Sequence, residues 1–236
     1  RSLLGDAAGN VYIADAGAVM IARINAAGRL EIFASRNALP GPPVDVTVDS
    51  EGNVYFTVVG AGAIWRRQGN GSIGVWAGNA EQEGFSVNGA ARERSSFGSE
   101  LRLGIDIKNA VIVADNRNGK LRKVGTVAEE LAGAGLMYTG EGGAATTAVV
   151  TGPAYVAQNQ TGTTYFSDPG SRLVFAVTPT GVIRRFAGGG TLNASFVDGV
   201  PALNGAFGTP YGITVDLQGN VYVADDDCAV RRIGRT

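Results

Sequence analysis

The chain of 236 residues is 44% hydrophobic, which is enough apolar material for a substantial buried core. Its formal net charge of −1 supplies no bulk attraction to nucleic acid or to an anionic membrane. In addition, no apolar run reaches the roughly 18 residues of a membrane-spanning helix. One cysteine and no histidine exclude an intramolecular disulfide, a thiolate zinc site and histidine-based catalysis.

A ten-residue phrase near the start of the chain recurs four more times. The phrase predicts a tight turn, because glycine and asparagine adopt left-handed backbone at low cost, followed by a strand of β-branched and aromatic residues. Its copies are DAAGNVYIAD at 6–15, DSEGNVYFTV at 49–58, DIKNAVIVAD at 106–115, NQTGTTYFSD at 159–168 and DLQGNVYVAD at 216–225.

Around each phrase the alternation of apolar residues predicts four antiparallel strands. The units occupy approximately residues 2–34, 44–78, 101–133, 153–188 and 210–236, and the last has material for three strands only. Repeats of 43 to 57 residues with four strands each predict a β-propeller, in which no blade buries both faces alone. We therefore predict one all-β domain over 1–236, with a β-sandwich or a solenoid as the alternatives.

Long connections precede the third, fourth and fifth units. Asn88-Gly89, Glu141-Gly142 and Asp198-Gly199 each begin 18 residues before the next phrase (88 to 106, 141 to 159, 198 to 216). Unrelated disordered linkers would not keep this spacing, so we expect ordered loops that follow a similar path.

The repeat resembles a known family. The segment GITVDLQGNVYVADDDCAVRRI is similar to an NHL repeat, and AGNAEQEGFSVNGA and AGAGLMYTGEGGAAT resemble the connections of secreted bacterial NHL-repeat proteins. The resemblance covers essentially the whole chain. It implies a propeller, for which six blades would be usual, and an extracellular or cell-envelope location.

An aspartate ends four of the five phrases, at the corner between the second and third strands. As oxygen ligands from several blades, these corner aspartates could form a calcium ring at the channel. As structural groups, they would accept hydrogen bonds from backbone amides of their own turns, and their repetition in the blades favours this second interpretation. They are Asp15, Asp115, Asp168 and Asp225, whereas the second unit has Val58.

The favoured function is a non-enzymatic scaffold that binds a protein, peptide or glycan on the face built from the long connections, with no cofactor. Aromatic and arginine side chains on a rigid scaffold suit recognition. The candidate binding residues are Phe85, Arg92, Arg94, Tyr138, Phe196 and Asp198. These aromatic residues could instead merely pin the connections to neighbouring blades.

Two other functions stay open. One is a carboxylate- or calcium-dependent hydrolase or lyase, and the other is a structural spacer within a larger extracellular protein. Because the chain opens at Arg1 and its fifth unit stops after three strands, we expect it to belong to a longer polypeptide or assembly. Sequons at Asn70, Asn159 and Asn193 would permit N-glycans in a eukaryotic secretory protein.

Overall fold

The computed structural model describes residues 2–133, 140–190 and 199–234. These residues form five antiparallel sheets and three short 3₁₀ turns, at Arg92–Arg94, Asn116–Asn118 and Ala145–Thr147. Within the described ranges, no helix has the length and hydropathy that a membrane span requires. The predicted β-propeller is confirmed: five blades, of which the last has three strands.

The strands follow the chain from one blade to the next. Blade 1 contains β1 (Ser2–Gly5), β2 (Val11–Asp15), β3 (Met20–Ile24) and β4 (Leu30–Ala34). Blade 2 contains β5 (Pro43–Val48), β6 (Val54–Val58), β7 (Gly62–Arg67) and β8 (Ile73–Asn79). Blade 3 contains β9 (Ala90–Ala91), β10 (Arg102–Ile105), β11 (Val111–Asp115), β12 (Lys120–Val124) and β13 (Val127–Ala132).

Blade 4 contains β14 (Tyr155–Gln158), β15 (Thr164–Asp168), β16 (Leu173–Val177) and β17 (Ile183–Gly188). Blade 5 contains β18 (Pro210–Val215), β19 (Val221–Asp225) and β20 (Ala229–Ile233). The first strands of neighbouring blades contact one another in the order β1, β5, β10, β14, β18. They are therefore the inner strands, which surround the axis of the propeller.

The turn of the repeated phrase forms as predicted. Its fourth residue has left-handed backbone in all five blades, with φ of 82°, 81°, 83° and 85° at Gly9, Gly52, Gly162 and Gly219, and 65° at Asn109. The first residue of the phrase closes the turn. In blade 5, Oδ1 of Asp216 accepts the backbone N–H of Asn220 at 2.7 Å, and Oδ2 accepts the Asn220 side-chain amide at 2.7 Å.

Alternate residues of the second strand cover opposite faces of each blade, as the period of a strand requires. In blade 2, Phe56 packs in one apolar cluster with Tyr12 of blade 1. The preceding residue, Tyr55, lies on the other face and packs with Val113 of blade 3. The same arrangement joins blade 3 to blade 4 and blade 4 to blade 5, so the core lies between consecutive blades.

In blades 2 to 5, one face of each blade packs against the preceding blade, and we call it the leading face. The leading face of blade 1 is exposed. Leu3 is 71% exposed, whereas its counterparts Val46, Leu103 and Val156 are 2%, 7% and 6% exposed. Leu30 and Ile32 on the same blade are also about 70% exposed. Among the described residues, nothing covers this face as the blades cover one another.

The connection before blade 3 is ordered and follows the outer edge of that blade. Its strand β9 pairs with β13, so blade 3 has five strands. The connection before blade 4 makes the corresponding contacts with β17, where Gly142 donates to the carbonyl of Ile183 at 2.8 Å. The connections before blades 3 and 4 thus follow a similar path, as predicted, where both are described.

Candidate binding site

The inner strands all begin at one face of the propeller, which we call the corner face. This corner face carries the turns between second and third strands, together with the incoming connections, as the antiparallel strand order requires. Arg102 and Tyr155 open their inner strands here, and Tyr211 is the second residue of β18. We call the region around these three side chains the axial mouth.

Two adjoining cavities of about 390 and 260 Å³ lie at the axial mouth, and both are lined by Glu100 and Arg102. The larger cavity lies among blades 1, 2 and 3 and is also lined by Ala16, Pro43, Val44, Val59, Gly60 and Ser99. The smaller cavity is also lined by Asn116, Ala154, Tyr155, Pro169 and Tyr211. Together they form a concave surface with aromatic, cationic and anionic side chains, a composition that suits ligand binding.

Arg102 is the most unusual group of the axial mouth. Its guanidinium lies over the ring of Tyr155, with Cζ 4.9 Å from the ring centre. The Nε and Nη1 atoms are buried and have no hydrogen-bond acceptor among the described residues. A buried cationic donor without an acceptor is energetically unfavourable, so this position favours an incoming anionic or carbonyl oxygen.

Asp45 holds the inner strands of blades 2 and 3 together beside Arg102. Its carboxylate accepts the N–H of Leu103 at 2.7 Å and that of Val46 at 3.0 Å. Burial raises the pKa of Asp45, and a hydrogen bond from Ser2 and the charge of Arg102 are among the effects that oppose this rise. Asp45 therefore compensates part of the Arg102 charge without contacting the two unpaired nitrogens.

These side chains form a polar band across four inner strands. Ser2, Asp45, Arg102 and Tyr155 each stand four residues before the phrase of their blade. Successive members interact: Ser2 with Asp45, Asp45 with Arg102, and Arg102 with Tyr155. The sequence analysis did not select Arg102, Tyr155 or Tyr211. The signal that could have identified Arg102 and Tyr155 is the position four residues before each phrase, where the type of side chain changes from blade to blade although the repeat is otherwise regular.

Three of the four corner aspartates bind the backbone of the connection that enters their blade, and Asp15 binds its own turn. Asp115 accepts the N–H of Gly98 at 3.1 Å, and Asp225 accepts the N–H of Thr209 at 2.8 Å. Asp168 accepts the N–H of Thr151 at 2.8 Å, and Asp15 accepts that of Ala18 in its own turn at 2.9 Å. The amide partners thus belong to the incoming connection more often than to the turn itself.

This arrangement accounts for the repetition of the corner aspartates. Burial raises the pKa of Asp115, while its hydrogen bonds from Asn118 and Gly98 oppose the rise. No group of three or more potential metal-ligating side chains converges within the described part of the chain. In blade 2, where Val58 replaces the aspartate, Gly41 of the incoming connection approaches an apolar side chain instead.

The predicted loop residues lie away from the axial mouth. Phe85 is exposed and has Lys120 Nζ 5.7 Å from its ring centre. Arg92 lies at the perimeter, where its guanidinium stacks over Trp76 at 4.9 Å and forms an ion pair with Glu93 at 2.7 Å. Arg94 is exposed next to it. The other three predicted residues, Tyr138, Phe196 and Asp198, lie outside the described residues.

No protein-family model and no curated protein matches the chain. Solved structures do match. An auxiliary nutrient binding protein from Bacteroides thetaiotaomicron superimposes with a TM-score of 0.74 at 15% identity, over 99% of this chain and 58% of that protein. A chain of a nidogen/laminin complex gives a TM-score of 0.66 at 14% identity, over 99% of this chain and 74% of the other.

An enzyme also has this fold. A catalytically inactive histidine-to-alanine variant of virginiamycin B lyase from Staphylococcus aureus, solved with quinupristin, gives a TM-score of 0.60 at 15% identity, over 98% of this chain and 68% of the lyase. At these identities the likenesses support the β-propeller fold and no particular function. The chain spans only 58% of the length of the nutrient binding protein.

Proposed function

We propose that the chain is a non-enzymatic binding propeller of the NHL type that holds a glycan or peptide ligand at the axial mouth. The observation that carries this proposal is the pair of buried, unpaired Arg102 nitrogens beside two cavities. The cation selects a carboxylate on the ligand, and Tyr155 and Tyr211 supply flat surfaces for a sugar ring or an apolar side chain.

Two of the structural neighbours are consistent with this function. One is described as a nutrient binding protein, and another was solved as part of a complex between two proteins. By analogy with the nutrient binding protein, we propose an extracellular or cell-envelope location for this chain. The analogy is one of fold and carries less weight than the side chains of the axial mouth.

A hydrolase or lyase function receives less support. The lyase neighbour was made inactive by removing a histidine, and this chain has none in its 236 residues. The corner aspartates, which were the candidate calcium ligands, already accept backbone amides. A spacer function makes no use of Arg102, so the ligand experiment distinguishes it from binding.

Titration calorimetry with matched ligands tests the proposal. We expect trigalacturonate to bind and its methyl ester, which lacks the charges, to bind at least about tenfold more weakly, because a hydrogen bond to a charged group contributes about 1.5–3 kcal/mol. Short peptides with a free carboxyl terminus and their amides form the second arm. The arm that binds identifies the ligand class.

Two arginine variants locate the site. Arg102→Gln should weaken binding at least about tenfold, while Arg94→Gln should leave it unchanged, with circular dichroism as the control for folding. Loss of binding in Arg94→Gln alone would move the site to the perimeter surface that contains Phe85 and Arg92. Absence of binding to every charged ligand would refute the axial site.

A further inference from the structure

The axial mouth contains a second charged group, which the proposed function does not use. Glu100 lines both cavities together with Arg102 and is exposed to solvent. Among the described residues, its carboxylate forms no hydrogen bond and no ion pair. An anionic and a cationic side chain therefore line one concave surface without neutralising each other.

The repeat is interrupted at Glu100. Six residues before the phrase, blades 2, 4 and 5 have Pro43, Pro153 and Pro210, whereas blade 3 has Glu100. Proline holds φ at about −65°, but φ of Glu100 is 65°. Blade 3 thus differs from these three blades in both side chain and backbone at the axial mouth.

The left-handed backbone of Glu100 is unfavourable for a residue with a long side chain. Contact between Cβ and the backbone makes this conformation costly for residues other than glycine. Such strain concentrates at ligand-binding sites, where the surrounding structure holds it in place. Glycine would serve a purely structural turn better, so the carboxylate, rather than the backbone, accounts for a glutamate at this position.

The surroundings suit a small ligand that carries both charges. The two cavities measure about 390 and 260 Å³, within or close to the range of about 300–1,000 Å³ that is usual for small-molecule sites. Val44 and Val59 line the larger cavity, and Tyr155 and Tyr211 line the smaller one. These apolar and aromatic surfaces can contact the part of the ligand that lies between its charged ends.

We propose that the axial mouth binds a short peptide as a zwitterion, with its amino terminus at Glu100 and its carboxyl terminus at Arg102. This inference rests on the proposed function and narrows its ligand class. Both termini of a free peptide are charged near pH 7, because the α-carboxyl pKa is about 3.3–3.7 and the α-amino pKa about 7.7–8.0. A polyanionic glycan satisfies Arg102 alone and is repelled by Glu100.

Titration calorimetry with trialanine and its two capped forms tests the proposal. At pH 7 we expect trialanine to bind more tightly than trigalacturonate. Acetylation of the amino terminus removes the ammonium and should weaken binding about fivefold, a value suited to an exposed ion pair. Amidation of the carboxyl terminus should weaken binding at least about tenfold through Arg102.

Peptide length measures the separation of the two charged groups. Dialanine, trialanine and tetraalanine are compared, because each added residue moves the termini of an extended peptide about 3.3–3.6 Å further apart. We expect one length to bind most tightly and to show the largest effect of acetylation. Equal affinities at all three lengths would mean that the termini are not held together, and would overturn the proposal.

Two glutamate variants identify the ammonium site. Glu100→Gln removes the charge and keeps the size, so it should abolish the effect of acetylation while preserving the effect of amidation. Glu51→Gln is the matched control. Glu51 is exposed in the phrase turn of blade 2, at the opposite ends of the inner strands, and its substitution should preserve both effects. Circular dichroism checks the folding of each variant.

A stability measurement separates ligand recognition from a structural role. Glu100→Gly relieves the unfavourable backbone conformation, so it should raise the urea concentration at the midpoint of unfolding while abolishing the effect of acetylation. A lower midpoint would show that Glu100 stabilises the fold and would overturn its assignment to the ligand.

Failure of this inference and failure of the proposed function give different results. Equal binding of trialanine and its acetylated form, with weaker binding of the amide, would overturn the zwitterion and leave recognition by Arg102 intact. Binding of trigalacturonate without binding of any peptide would do the same. Absence of binding by every charged ligand would refute both.

Discussion

A single side chain organises the turn at the start of each repeated phrase. Asp49 and Asp216 both use one carboxylate oxygen for the backbone N–H four residues later, and the other for a tyrosine hydroxyl at 3.1 Å. In blade 4, Asn159 makes the same backbone contacts with its single amide oxygen, at 3.0 and 2.9 Å. The turn therefore requires an acceptor oxygen at this position and does not require a charge.

This equivalence gives a prediction for pH dependence. Hydrogen bonds from Asn220 hold the pKa of Asp216 below its ordinary value of 3.8, and burial opposes the effect. A lowered pKa in the folded state stabilises the protein above the ordinary value, and this contribution disappears as the pH falls through the native value. We expect Asp216→Asn to fold and to lose less unfolding free energy than the wild type in urea titrations below pH 3.8.

One outcome would contradict the prediction for Asp216→Asn. Equal losses of unfolding free energy in the two proteins on acidification would mean that Asp216 has the same pKa in the folded and unfolded chains. Asp216→Ala serves as the control, because it removes the acceptor oxygen and should destabilise the protein at every pH.

At the residue scale, the sequence was informative about turns and uninformative about the axial mouth. The turn depends on residues within five positions of one another, so the repeated phrase predicted it correctly. Arg102 acquires its meaning from Asp45 and Tyr155, which are more than 50 positions away on either side. That proximity is produced by the packing of blades and leaves no local pattern in the chain.

The fourth strands of blades 2, 3 and 4 end in the same way, with a glycine in left-handed backbone. Gly78, Gly133 and Gly188 have φ of 87°, 105° and 92°. A Cβ atom on Gly133 would overlap the carbonyl oxygen of Gly119 at the start of the third strand. The glycine thus permits the chain to leave the sheet while its backbone touches the neighbouring turn.

Substitution of Gly133 tests this role. We expect Gly133→Ala to lower the unfolding free energy by more than about 1 kcal/mol in urea denaturation, because both the backbone angle and the space oppose a side chain. Gly125→Ala is the matched control. Gly125 lies in the turn of the same blade with open space around it, and its substitution should change stability by at most about 0.5 kcal/mol.

The sequence did not predict strand β9, the fifth strand of blade 3, although it did predict that the connection containing β9 is ordered. Equal spacing of Asn88-Gly89 and Glu141-Gly142 from the next phrase indicated a shared path. Strand β9, however, consists of Ala90 and Ala91 alone, which have neither alternation nor β-branched side chains. Its pairing is imposed by the edge of β13 and could not be recognised from its own residues.

Across the molecule, burial of an equivalent position depends on whether a blade covers it. Leu3 and Leu103 occupy the same place in their blades, but Leu3 is ten times more exposed. We expect Leu103→Ala to cost about 2–5 kcal/mol of unfolding free energy and Leu3→Ala to cost about 0.5 kcal/mol or less. Urea denaturation of the two variants measures the difference. A large cost at Leu3 would show that its face is covered in solution.

At this scale the period of the sequence correctly predicted the class of fold, because repeats of this length with four strands have few ways of burying both faces. The positions of the candidate binding residues Phe85 and Arg92 could not be predicted from this period. Arg92 and Phe85 are distant from the axis because the connection first passes round the outside of blade 3, a path that depends on the edge of another strand. Their role in recognition stays a prediction.

The exposed leading face of blade 1 has a consequence for the order in which the protein loses protection. Each blade is stabilised by its immediate neighbours, as in linear repeat arrays. Among the described residues, blades 1 and 5 each pack against one other blade, whereas each middle blade packs against two. Amide protons of blade 3 should therefore exchange most slowly, and those of the outermost blades should exchange first through local fraying, without unfolding of the centre.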